Sequence, residues 1–262
     1  MSRSIEEVFT KKKRLKIMTH VVAGYPDLET SQNLILAMAE AGADMIEVQI
    51  PFSDPLADGP TIMAANHKAL QNGLTPKLCL KMIEEIRDEV KIPLLFMTYA
   101  NLAYTMGLER FVSESAASGV SGLIIPDLPF DERGYDDYYF WLKECNLVGI
   151  QVLSAGLSLS RLKKILKIAE GFIYITLRVG VTGAREGMEK KSSDFIDLVR
   201  AYTDLPLAAG FGISSVEQIT NLIGKVDMAV VGSHLINLFN SGGKENVQNF
   251  IKETNQAIEQ VS

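Results

Sequence analysis

Apolar positions along the chain follow two alternating patterns. Short runs rich in Ile, Val, Leu and Met recur, most of them ending in Gly, Pro, Asp or Ser: Leu15–Ala23, Asp44–Ile50, Pro93–Tyr99, Ser121–Pro126, Val148–Ser154, Gly171–Leu177, Leu205–Gly210 and Asp227–Val231. Runs of this length and composition predict strands. Between them apolar residues recur at three- and four-residue spacing, which predicts helices. These cover Thr30–Ala41, Pro76–Val90, Leu108–Ser118, Glu132–Cys145, Ser158–Ala169, Ser192–Thr203, Ser214–Ile223 and Glu245–Val261. One more helix, Ser4–Thr10, precedes the first strand. The strands read as apolar on both faces, as strands of a parallel sheet must be. Eight strand–helix units in succession predict an α/β fold, a single (β/α)8 TIM barrel with an extra N-terminal helix. The rival, a doubly wound open sheet, usually carries G-x-G-x-x-G after its first strand, and that fingerprint is missing. No Pro/Gly/Ser-rich linker divides the chain, so residues 1–262 read as one barrel domain.

Composition narrows the picture. At 47% hydrophobic and 22% charged residues over 262 positions, the chain is globular rather than disordered and buries a large core without staples. Two cysteines, Cys79 and Cys145, are too few for a disulfide framework or a four-cysteine zinc site, and their scarcity fits a reducing compartment. A net charge of −6 argues against a dedicated nucleic-acid binder. No signal-type core with a cleavage site and no membrane-spanning apolar run is visible, so a cytoplasmic protein is expected. The basic run Lys11-Lys12-Lys13-Arg14 reads as a solvated helix end.

Barrels of this kind collect their chemistry at the C-terminal ends of the strands, where the least ordinary residues of this sequence lie. Gly183, Gly212 and Gly232 follow strands six, seven and eight, and Ser233 is placed to begin a helix. Backbone N–H groups and a helix N-terminus at this position suit a phosphate, with no lysine needed. Overall charge therefore says little about a small anionic substrate. In strand two, Met45, Glu47 and Gln49 share one face. If that face points inward, Glu47 is partly desolvated, which raises a carboxylate's pKa and suits it to acid–base work. The loop Ser53–Pro60 adds Asp54 and Asp58, and spacing alone does not choose between them. No lysine sits at a strand end for a Schiff base. His20, His67 and His234 show no metal-ligand spacing, so no metal is expected, although strands one and eight would bring His20 and His234 near each other. Ser154 and Ser233 lack a nucleophile-elbow context.

The chain resembles the tryptophan synthase alpha-subunit family. The resemblance rests on Glu47 followed by PFSDPLADGP, then MTYANLAYTMG, PDLPFDE, GFIYITLRVGVTGAR, GFGISS and VGS, in order from strand two to strand eight. It implies a carbon–carbon lyase that cleaves indole-3-glycerol phosphate to indole and glyceraldehyde 3-phosphate without a cofactor of its own. It also implies roles: Glu47 as general acid–base, Asp58 as acceptor of the indole N–H, and Tyr174 beside Glu47. Gly183, Gly212, Gly232 and Ser233 would hold the phosphate, with Phe211 beside the substrate. Arg178–Met188 would form a lid whose Thr182 meets Asp58. A pyridoxal-phosphate-dependent beta subunit would receive the indole in an αββα assembly, facing Asp54, Pro55, Asn101 and Pro129. A stand-alone indole-releasing lyase and a weakly active regulatory subunit are the alternatives. The chain departs from the family pattern at Gln49, where glycine is usual, from where it could hydrogen-bond Glu47 or crowd the indole. It departs also at Val22, Tyr25 and His234, and at LSAGLSLSR after strand five.

Overall fold

The structure is a computed structural model that describes residues 4–10, 14–128, 133–176, 185–210 and 212–261, with the backbone alone at 133–135 and 185–192. Its strands are β1 Lys16–Val22, β2 Met45–Gln49, β3 Leu94–Met97, β4 Gly122–Ile124, β5 Val148–Ser154, β6 Ile173–Thr176, β7 Leu207–Gly210 and β8 Met228–Val231. They pair in parallel in chain order, and β8 returns to β1 to close the barrel. The described helices are α1 Ile5–Thr10, α2 Leu28–Glu40, α3 Pro60–Gln71, α4 Pro76–Ile86, α5 Ala100–Met106, α6 Leu108–Ser118, α7 Arg133–Glu144, α8 Leu159–Leu166, α9 Arg185–Arg200, α10 Val216–Thr220 and α11 Ser233–Val261. No described helix is long and apolar enough to cross a membrane.

Every predicted strand is present, trimmed at one or both ends except β5. Helices α3 and α5 are additions to the pattern. Their inward faces carry small or polar residues, Ala65, Asn66 and Ala69 in α3 and Ala100 and Ala103 in α5, so they leave little hydrophobic period to read. Helix α9 begins at Arg185, seven residues before the expected Ser192, through the polar stretch REGMEKK. The last helical stretch starts at Ser233 and kinks at Gly242–Gly243, where the backbone leaves helical geometry. Several starts are set locally: Asp27, Thr75, Ser158 and Ser215 each accept a backbone N–H of the first turn of α2, α4, α8 and α10.

Strand alternation sorts the apolar residues into two layers. Ile17, Ile46, Val48, Phe96, Leu123, Leu153, Ile173, Ile175, Ala209 and Val231 belong to the outer core packed against the helices. Met18, Met45, Leu95, Met97, Ile124, Ile150, Tyr174, Ala208, Met228 and Val230 fill the barrel interior. Helix α1 seals the N-terminal end of that interior. Ile5 joins the inner cluster, and Phe9 meets Phe172 with ring centroids 5.9 Å apart. The plug is helped by one missing side chain: a Cβ at Gly122 would come within 3.2 Å of Ile5 Cδ1.

Two aspartates clamp strands together. Asp44 receives a two-pronged contact from Arg14, at 3.0 and 2.9 Å, and accepts the Ile17 N–H at 2.8 Å. Asp227 likewise accepts the Leu207 N–H at 2.8 Å and pairs with Arg200 at 2.6 Å. Arg14 is thus committed to the β1–β2 junction rather than simply solvated; Lys11–Lys13 lie outside the described residues.

Because Ile5 is buried and plugs a closed layer, Ile5→Ala is expected to cost about 2–4 kcal/mol of unfolding free energy. Urea unfolding followed by circular dichroism measures it, and a loss below about 0.5 kcal/mol would mean that α1 does not seal the barrel.

Candidate active site

The parallel register of β1 and β2 sets His20 opposite Glu47 and Val22 opposite Gln49. Glu47 and Gln49 therefore do share a face, and that face points into the barrel: Glu47 is 3% exposed and Gln49 wholly buried. The His20 Nδ1 lies 3.3 Å from Glu47 Oε2. Burial by itself would push the His20 imidazole down, but the Glu47 carboxylate, supported by Asp58 and the Gln49 amide, outweighs it and holds His20 above its ordinary value. The sequence suggests only His234 as a neighbour of His20, because strand register is not visible in a single strand's sequence.

The loop after β2 resolves the choice between its two aspartates. Asp54 is exposed and bonds the neighbouring Ser53 hydroxyl. Asp58 is half-buried, and its Oδ2 accepts a 2.7 Å hydrogen bond from Gln49 Nε2. Gln49 thus grips Asp58 rather than hydrogen-bonding Glu47. Burial pushes the Asp58 carboxyl up, opposed by the Gln49 donor and by His20. The loop is strapped at two more points: Ala57 N–H donates to the Tyr99 hydroxyl at 3.1 Å, and Phe52 N–H to Asn66 Oδ1 at 3.0 Å. Phe52 stacks on Tyr99 with centroids 5.4 Å apart. Tyr99 and Asn66 were not foreseen, since each acts on a loop distant in sequence.

His20, Glu47, Asp58 and Tyr174 line one cavity of about 220 Å³ together with Gly212, Gly232 and Ser233. The carboxylates come from the β2 side and the glycines from the β7–β8 side. The helix starting at Ser233 opens onto the cavity, its first turn anchored by Leu235 N–H to Gly232 O at 2.9 Å. Tyr174 fits because β7 carries Gly210: a Cβ there would lie 2.8 Å from the Tyr174 hydroxyl. Gly212 differs in kind, having φ of +80° and nothing within 4 Å of a Cβ. Thr182, Gly183, Phe211 and Pro129, with most of Arg178–Met188, lie outside the described residues. Asn101 is exposed at the start of α5, and Pro55 is buried between the exposed Asp54 and the 94%-exposed Leu56. His234 packs edge-on against Phe250 at 4.8 Å and does not line the cavity. Among the described residues no group of three or more His, Cys, Asp or Glu could hold a metal. Val22 is absorbed into the core, and the Tyr25 hydroxyl bonds Asn240 at 3.0 Å.

A closed TIM barrel with two carboxylates and a histidine gathered around a cavity at the open end of β1 and β2 has the architecture of an α/β-barrel enzyme. A sequence profile described as tryptophan synthase alpha chain matches residues 7–262. The tryptophan synthase alpha chain of Dehalococcoides mccartyi is 41% identical over 260 residues, covering 99% of this chain and 100% of its own. That of Syntrophotalea carbinolica is 41% identical over 240 residues, covering 92% and 94%. The aminoacrylate-bound tryptophan synthase of M. tuberculosis superposes with a TM-score of 0.88 at 28% identity, covering 98% of this chain and all of the matched one. The chain belongs to the tryptophan synthase alpha chain family, a lyase family of tryptophan biosynthesis.

The two glycines should respond differently to substitution. Gly210→Ala overpacks Tyr174 and is expected to cost about 1–3 kcal/mol. Gly212→Ala suffers from its left-handed backbone and should cost about 1–2 kcal/mol. Asn tolerates that conformation, so Gly212→Asn should recover stability relative to Ala, whereas Gly210→Asn should not. Denaturant unfolding of the four variants checks this; recovery at both positions would refute the steric account of Gly210.

Proposed function

We propose that the chain cleaves indole-3-glycerol phosphate by a retro-aldol step, with Glu47 as general acid–base and Asp58 as acceptor of the indole N–H. The observation that carries this reading is the placement of both carboxylates on one wall of the cavity that Gly212, Gly232 and Ser233 close on the other. The chemistry needs a proton delivered to indole C3 and one removed from the glycerol hydroxyl next to the breaking bond. The bonding pair passes to C3, which becomes C–H, and the hydroxyl oxygen becomes the aldehyde. The step is neutral in protons and electrons, so it calls for no redox cofactor. Glu47 is buried beside a proton-bearing partner, His20, which suits it to both transfers. Gln49 holds Asp58 by Oδ2, and the carboxylate so held would stabilise the positive charge developing on the ring. Tyr174, neutral because burial pushes its hydroxyl well up, forms the floor beside Glu47. The amides around Gly212, Gly232 and Ser233 would take the phosphate.

The family's name implies a beta partner, and a pyridoxal-phosphate-bearing beta subunit in an αββα tetramer would receive the indole. Asp54, Leu56 and Asn101 are exposed and would be available to that partner. The purified chain should release indole from indole-3-glycerol phosphate, and faster with a beta subunit present. No indole under either condition would sink the lyase reading, and full turnover alone would favour an independent enzyme.

Glu47→Gln is expected to lose at least ~100-fold in turnover, and a near-unchanged rate removes Glu47 from the chemistry. Asp58 makes a second, opposite prediction about stability. Its carboxyl is raised by burial, so ionisation is less favourable in the folded chain, and its contribution to stability falls as pH rises from the ordinary carboxylate value through the folded one. Asp58→Asn should therefore lose turnover yet be at least as stable as the parent at pH 7, the difference closing as pH falls through the carboxylate range. Unfolding curves at several pH values test this, and a less stable variant at pH 7 would contradict it.

A further inference from the structure

His20, Glu47 and Gln49 all point into the barrel from two paired strands, each at most 5% exposed. Two contacts are in place: His20 Nδ1 to Glu47 Oε2 at 3.3 Å, and Gln49 Nε2 to Asp58 Oδ2 at 2.7 Å. Between them lie two buried polar atoms, His20 Nε2 and Gln49 Oε1, neither of which meets a partner at strict hydrogen-bond geometry among the described residues. Leaving such atoms unpaired in a buried site is unfavourable. Their polarities are complementary. An ionised carboxylate only accepts, so the Gln49 amide turns its NH2 toward Asp58 and keeps its oxygen for another donor. The buried donor on the adjoining strand is His20, and the Gln49 amide acts on His20 in the direction that favours the charged imidazolium.

We propose that His20 and Gln49 are positioning residues that join the two carboxylates into one chain, Glu47–His20–Gln49–Asp58, in which Glu47 and His20 Nδ1 share a single proton. The proposal rests on the reading of Glu47 and Asp58 as the acid–base pair. With Nε2–H directed at the glutamine oxygen, only the Nδ1 side titrates. The shared proton sits either on Nδ1, giving an ion pair, or on Oε2, giving two neutral groups. Both forms carry no net charge, so the proton moves onto Glu47 without creating a lone charge in a buried site. Losing it altogether would leave the Glu47 carboxylate unbalanced near Asp58. The other groups facing this pair fit that scheme. Tyr174 on β6 and Tyr99 after β3 are held neutral by burial, and the β8 side presents Gly232, whose Cβ position is 3.6 Å from His20 Cβ. The glutamine stands where the family usually has glycine, so the link is a property of this chain.

Nitrogen NMR of ring-labelled histidine tests the link without turnover. The protein has three histidines, and His20→Phe identifies the signal. At neutral pH the wild-type Nε2 should be protonated, and its signal should move in Gln49→Gly. An Nε2 carrying a lone pair, or one indifferent to Gln49→Gly in a folded variant, overturns the proposal. Kinetics give a second readout. His20→Phe should lower kcat about tenfold, short of the ~100-fold expected for Glu47 itself, with little change in KM. Its pH profile should move relative to the parent's, because the imidazole that shares the proton is gone. The double variant His20→Phe/Gln49→Gly should be no worse than its poorer parent, since both break one chain. Multiplying losses or an unmoved pH profile would overturn the link. Absence of indole in the wild type would instead sink the lyase reading and leave the NMR result to stand by itself.

Discussion

Glu47 and His20 face each other from neighbouring strands, 3.3 Å apart and almost fully buried, and much of the barrel serves to keep them so. A carboxylate in this position needs a partner, because an unpaired charge inside an apolar barrel is prohibitively costly. The partner is delivered by strand register. A slip of β1 by one residue would turn His20 outward and bring an apolar neighbour inward. The register is secured at the far end of the same strands, where Arg14 grips Asp44 and Asp44 takes the Ile17 N–H. A contact at the closed end of the barrel thus governs the chemistry at the open end.

The two ends are built from opposite materials. At the closed end, the glycine at 122 admits the Ile5 side chain, and a continuous apolar layer follows through Met18, Met45 and Met228. At the open end, Gly210 makes room for Tyr174, and Gly232 faces His20, so aromatic and ionisable groups sit where backbone would otherwise be covered. The loop is tied down by polar contacts: Tyr99 and Asn66 hold the segment that carries Asp58, which tolerates burial of a carboxylate because Gln49 donates to it. Packing supplies the rigidity, and the polar contacts supply the aim.

Membership of the tryptophan synthase alpha chain family accounts for the barrel and the order of its motifs. It does not account for the glutamine in β2. A side chain there was expected either to touch Glu47 or to crowd the cavity, yet it turns sideways to Asp58 and takes no part in the cavity wall. Its strand neighbours Val22 and Met97 are apolar, so its buried amide is accommodated through Asp58, which takes its NH2.

Periodicity was enough to read eight strands, most helices and the closed α/β architecture, because each strand and each amphipathic helix declares its buried face in its own few residues. It was enough also to put Glu47 and Gln49 on one face and the glycines at the ends of β7 and β8. Helices α3 and α5 escaped it, since small and polar residues line their inward sides. The remainder depended on contacts between segments that are distant in sequence. Nothing in a strand's own composition tells which residue of its neighbour it will face, so the His20–Glu47 pair appeared only with the register. Nothing in Ser53–Pro60 says which aspartate turns inward, because the answer lies with Gln49 and Tyr99 outside the loop. Local chemistry is written along the chain, whereas charge partners are assigned by closure of the barrel.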